Sequence, residues 1–168
     1  MRYGLSLIVA LAWGLWLGGL ITLFISVSHL FSINRPIAAQ AAPEIFAVFE
    51  RYQILLAFIA LLFTAIWRLT TPRKLLTALF FLFALASVGT IISSGAISPK
   101  MHALRMAGRS SGPEFRKLHG FSMMAYTAEA ALLFAAGVVL TGAMRQKDPE
   151  TAVASAPQAE PVGQVLSP

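Results

Sequence analysis

Leu75–Ile97 reads LLTALFFLFALASVGTIISSGAI, an apolar stretch with no charged side chain. Arg73 and Lys74 precede it, and Lys100 follows it. A helix rises ~1.5 Å per residue, so ~20 apolar residues cross a ~30 Å hydrocarbon layer. In lipid, each backbone N–H and C=O needs a partner inside the protein, which leaves helices and closed barrels as spanning structures. Barrel strands alternate apolar and polar residues, and this stretch does not. It reads as a transmembrane helix.

Three similar runs surround it: Gly4–Phe31, Ile45–Leu69 and His119–Met144. The 168-residue chain is 57% hydrophobic and 12% charged, with a mean hydropathy of +0.73, too apolar for a soluble domain of this length. The expected fold is all-α: a four-helix transmembrane bundle over 1–145 and a disordered tail over 146–168. The tail is rich in Ala, Pro, Gln, Val and Ser and lacks periodicity. The first run is longer than the ~7–15 residue core of a signal peptide, and reads as a retained helix.

Local signals set the boundaries. Helix 1 ends near Ser32–Arg35, and Pro36 suits the first turn of a new helix. Ile37–Ala42 reads as a short helical lead-in, interrupted or kinked at Pro43. Trp67 beside Arg68 reads as an interface anchor. Thr71-Pro72 reads as the cap and first turn of helix 3. Ser98-Pro99 repeats that signal, so Lys100–Ala107 is expected as a short interfacial helix between helices 3 and 4, stopped by Gly108. Ser111-Gly112-Pro113-Glu114 fits a capping box that opens helix 4 near Pro113.

The net charge of +6 belongs to residues flanking the spans, so the implied partner is the lipid bilayer and not nucleic acid. The chain has no cysteine, which excludes disulfides, thiolate metal sites and cysteine nucleophiles. Arg2, Arg68, Arg73, Lys74, Arg145 and Lys147 share one side. Arg35, Arg51, Lys100, Arg105, Arg109, Arg116 and Lys117 share the other. This near balance leaves only the amino terminus beside Arg2 to favour both termini in the cytoplasm of a bacterial plasma membrane.

Alternating spans place His29, Glu50, Arg51, Ser93, Ser94, His102 and His119 at one end of the bundle. On helix 4, His119, Ser122, Tyr126 and Glu129 follow spacings of three and four, and share a face. Glu129 lies ~15 Å deeper than His119 by helical rise, near mid-membrane. A carboxyl there has to face the bundle interior, take a proton or find a partner, Thr22 or Thr90 being the expected ones. Glu50, Arg51 and Gln53 stand at the entrance of helix 2. Glu50 and Arg51 point ~100° apart, so at least one is expected to pair with another helix or snorkel to the interface. Glu50 is also the acid expected nearest His119. Gly14 and Gly18, with Thr22 and Ser26 in register, offer a close-approach face for a homo-oligomer. No nucleophile elbow or phosphate-binding glycine loop is present. His29 and His119, at comparable depth, are the pair that could ligate haem or copper, although neither lies in a tight ligand motif.

An early tryptophan–glycine helix, a Pro-Glu-x-Phe-type entry to helix 2, Ser98-Pro99 with Leu104-Arg105, and Phe115-Arg116-Lys117-Leu118-His119-Gly120-Phe121-Ser122 carry a resemblance. Over residues 5–143 the chain resembles the domain-of-unknown-function 4149 family, the transmembrane protein 205-like proteins. The resemblance implies a four-helix integral membrane protein without an established activity. His119, Gly120 and Ser122 match its motif; Tyr126 stands where relatives carry asparagine. The plan of four helices with histidines at one end is also similar to copper-resistance D and HemJ-type membrane proteins, at the level of architecture alone. The leading expectation is a non-enzymatic membrane protein that binds a small ligand or partner at its polar end. A haem or copper protein and a small-solute transporter or its subunit are the alternatives.

Overall fold

The structure, a computed structural model, describes residues 2–145. The tail expected to be disordered, 146–168, lies outside the described residues. The helices are α1 (Arg2–Ile33), α2 (Arg35–Thr70), α3 (Lys74–Ile92), α4 (Ser98–Met106) and α5 (Pro113–Arg145). Four helical segments are long and apolar enough to cross a membrane: Tyr3–Ile33, Arg35–Thr70, Lys74–Met106 and Pro113–Arg145. The architecture is the all-α four-span bundle expected from the sequence.

Each boundary has a local cause. Asn34 separates α1 from α2 and caps the latter, its Oδ1 accepting from the Ile37 N–H at 3.2 Å, with Pro36 in the first turn. α2 then runs through Pro43 without interruption. A proline there removes one helical donor, and Ala38 and Ala42 of the preceding turns are buried against the bundle. Thr71 closes α2 and does not open α3. Its N–H bonds the Trp67 carbonyl at 2.9 Å, and Pro72 disfavours a helical conformation in the residue before it. α3 therefore starts at Lys74, two residues past the proline. Trp67 is buried in the core and not an outward-facing anchor.

The short helix expected after helix 3 is present as α4, but no break precedes it. Ser93–Ile97 form a π-helical turn, and the Ser98 N–H bonds the Ser93 carbonyl across it. Pro99, which has no N–H to donate, directly follows the π turn, where the hydrogen-bond ladder has already changed register. Met101 and Leu104 turn inward, whereas Met106 is exposed. Gly108 ends α4 at φ 69°. Its N–H bonds the Arg105 carbonyl, and the Arg109 N–H bonds the Leu104 carbonyl, each at 2.9 Å. That pair of bonds is a Schellman ending, and its left-handed residue favours glycine.

α1 packs on α2, α2 on α3, and α3 on α5, with α5 closing against α1. α2 and α5 run in the same direction across the bundle from each other. Trp16, Leu20, Leu76, Leu79, Phe83 and Leu133 fill the centre with no more than a trace of exposure. The outer surface carries Leu7, Leu11, Leu15, Phe58, Leu85 and Phe134, which suit contact with lipid chains.

Along α1 and α5, two indoles close the seam. Trp13 Nε1 donates to the Leu133 carbonyl at 2.7 Å, and Trp16 Nε1 to Glu129 Oε1 at 2.8 Å. The Leu133 carbonyl is reachable because Gly137, one turn on, has no side chain; a Cβ there would overlap the Trp13 ring. Trp16 also stacks on Phe83 of α3, with ring centroids 6.4 Å apart.

Candidate functional site

Above that seam, α5 and α2 part around a cavity of about 1050 Å³. Its walls come from the end of α1, the first half of α2, the π turn with α4, and the start of α5. Phe24, Val27, Phe46 and Met101 supply apolar wall, with Arg51, His102, Arg105 and His119 among the polar residues.

Glu50 anchors the floor. It is 7% exposed, and its Oε1 accepts from two hydroxyls. One is Ser98 Oγ, at the start of α4; the other is Tyr126 Oη of α5, at 3.1 Å. Three helices thus converge on one carboxylate oxygen. Tyr126 is held for this by an edge-on contact with Phe24 and a tilted contact with Phe46. Glu50 Oε2 has no protein hydrogen bond, yet is not among the water-inaccessible atoms, so it is the oxygen available to the cavity. Among the described residues no cation lies within salt-bridge distance of Glu50. Glu50 is thus the member of the Glu50–Arg51 pair that reaches other helices, through hydroxyl donors and not a cation, while Arg51 turns to the exposed side of α2.

The structure gathers Glu50, Arg51, His119, Ser122 and Tyr126 around this one cavity. His119 is at its exposed wall, where the ring stacks on Phe115 of its own helix, nearly parallel at 6.4 Å, and not against Glu50. The Arg105 guanidinium covers the same Phe115 ring at 5.3 Å. His29 is exposed and is not among the cavity residues, so the His29–His119 pairing for haem or copper finds only one of its ligands there. Glu129 lies below the cavity, 1% exposed. Its Oε1 takes the Trp16 donor, and the expected Thr90 stands beside the carboxyl while its hydroxyl donates to the Ala86 carbonyl at 3.4 Å; Thr22 is exposed and bonds the Gly18 carbonyl instead. Gly14 and Gly18 are exposed, with open space where a Cβ would stand.

Two elements of the site went unread in the sequence. Ser98 was a helix-start signal, and its hydroxyl turns out to hold Glu50. Trp16 was a marker of helix 1, and it supplies the donor to the mid-membrane carboxyl. An indole N–H in an apolar span needs an acceptor, which is the signal that could have paired it with Glu129.

This fold, with its polar end, is that of an integral membrane protein built as a four-helix bundle. The chain belongs to the family described as "Domain of unknown function (DUF4149)", whose profile matches residues 11–110. The match takes in the whole of α2 and α3, Glu50 and Ser98, and ends before His119 and Tyr126. The searches of the curated proteins and of the solved structures each gave no match.

Proposed function

We propose that this membrane protein binds a small amphiphile in the cavity, with a hydrogen-bond-donating or cationic head seated on Glu50. The supporting observation is the Glu50 carboxylate. Ser98 and Tyr126 fix its Oε1, while Oε2 stays available to a mostly apolar chamber. A buried carboxylate without a cation favours a ligand that brings one, or that brings an N–H or O–H donor. The apolar walls take the body of the ligand. Arg51 and His119, exposed at the wall, are solvated and screened, so they weigh less than the buried acid. In this reading the protein resides in a bacterial plasma membrane with both termini cytoplasmic, and chemistry on the ligand is not required.

A second reading rests on Arg51, Arg105 and His119, which would suit an anionic head. Titrating the purified protein with dodecylamine and with dodecanoate separates the two. Preferential amine binding that weakens about tenfold in Glu50→Gln supports the proposal, since a lost charged hydrogen bond costs about 1.5–3 kcal/mol. Preferential binding of the acid, lost on replacing Arg51 and Arg105, would overturn it. The visible spectrum and copper content of the same preparation test the haem and copper alternatives.

A further inference from the structure

One turn beneath the Glu50 layer, the same three helical segments each present a buried polar side chain with no protein partner for one or more atoms. On α2 this is Gln53, three residues past Glu50, fully buried, with both Oε1 and Nε2 unpaired. On α5 it is Glu129, three past Tyr126, whose Oε2 is unpaired while Oε1 takes the Trp16 donor. On the π turn it is Ser93, 1% exposed, with Oγ unpaired. The Ser98 N–H bond to the Ser93 carbonyl puts Ser93 directly one turn below Ser98. In an α-helix, residues five apart point ~140° from each other; the wider π turn brings both serines to the inner face.

These orphaned groups, each one turn below the point where Glu50, Ser98 and Tyr126 meet, need a partner in a bundle built for lipid. Their chemistry says which. Gln53 Nε2 can only donate, Gln53 Oε1 and a Glu129 carboxylate oxygen can only accept, and Ser93 Oγ does both. A bare cation would leave the amide N–H unsatisfied. Water satisfies all of them, accepting from Gln53 Nε2 and donating to Glu129 Oε2.

We propose that the layer of Gln53, Ser93 and Glu129 is a buried water site, through which the Glu129 carboxyl exchanges protons with the cavity above it. A proton arriving from the cavity passes to the water. The water hands one of its protons to Glu129 Oε2, and the carboxylate becomes a neutral acid that donates back to the layer. Trp16 keeps its bond to Oε1 in both forms. The titratable group that faces Glu129 is Tyr126, on its own helix, which in turn bonds Glu50 of α2. α1 brings Trp16 and α3 brings Thr90, neither of which titrates. Below, the Trp13 and Trp16 bonds tie α1 to α5. The inference stands apart from the identity of any cavity ligand.

Infrared spectroscopy of the purified protein, transferred from H2O to D2O, tests it. The wild type is expected to show a protonated carboxyl band that titrates, shifts promptly in D2O and is absent in Glu129→Gln. In Gln53→Leu/Ser93→Ala the band should persist but shift at least about tenfold more slowly, because exchange then waits on local opening of the bundle. Ser93→Ala alone, a smaller change, gives the same reading if the double variant does not fold. A wild type with no such band at any pH, a band that does not exchange, or equal rates in wild type and variants would overturn the proposal.

Discussion

The two halves of α5 behave as different materials. From Tyr126 to Ala143 a residue is buried at every third or fourth position: Tyr126, Glu129, Leu133, Ala136, Leu140 and Ala143. From Pro113 to Ala125 none is. The lower half meets indoles and small side chains that fill its grooves, and its one carboxyl is bonded. The upper half meets the shallow ends of α1, α2 and α4 and leaves a cavity between them. The same helix is thus glue at one end and wall at the other. Function is to be sought where packing stops, and stability where it is continuous.

Three substitutions can break this contrast, beginning with the largest effect. Gly137→Val puts a side chain into the space of the Trp13 ring and shields the Leu133 carbonyl. Over-packing of this kind should cost about 1–3 kcal/mol or more, read as a lower thermal midpoint in detergent. A wild-type midpoint would mean that the lower half is not tightly packed.

Trp16→Phe removes the donor to Glu129 but keeps a ring against Phe83. It should cost about 1–2 kcal/mol, the range of interhelical hydrogen bonds in membranes. Adding Glu129→Leu to that background should recover part of the loss, because the orphaned acid goes with its partner. Strict additivity of the two substitutions would show that the bond does not exist. Glu129→Gln keeps an acceptor for the Trp16 donor, so it should change the thermal midpoint less than Trp16→Phe does.

His119→Ala sharpens the comparison from the other side. The ring is exposed and stacks only within its own helix, so stability should change by less than about 0.5 kcal/mol. A loss as large as that of Trp16→Phe would show that the upper half of α5 is packed after all.

The spans were legible because lipid imposes a length and forbids charge, a constraint carried by runs such as Leu75–Ile97 with no help from tertiary structure. The gathering of Glu50, His119, Ser122 and Tyr126 at one end was legible from alternation and helical spacing. The contacts were not. Ser98 looked like a cap and became a donor to Glu50, because the π turn rotates it inward, and nothing in Ser-Ser-Gly-Ala-Ile announces a π turn. Thr71 looked like a cap for the following helix, yet Pro72 made it the end of the preceding one. Trp67 looked like an anchor because of its neighbour Arg68, whereas the side of the helix it faces depends on where α3 docks. His29 shares an end with His119, but depth along the bundle does not fix direction around it.

A chamber reached from one end of the bundle has a direct test in single-cysteine labelling. The chain has no native cysteine, so the background is clean. Cysteines at Ser94, Arg51 and His119 should react with an impermeant maleimide added from one side of the membrane. A cysteine at Leu69, exposed at the opposite end, should react only from the other side. Reaction of His119 and Leu69 positions from the same side, or a Ser94 position closed to the reagent from both, would contradict the account.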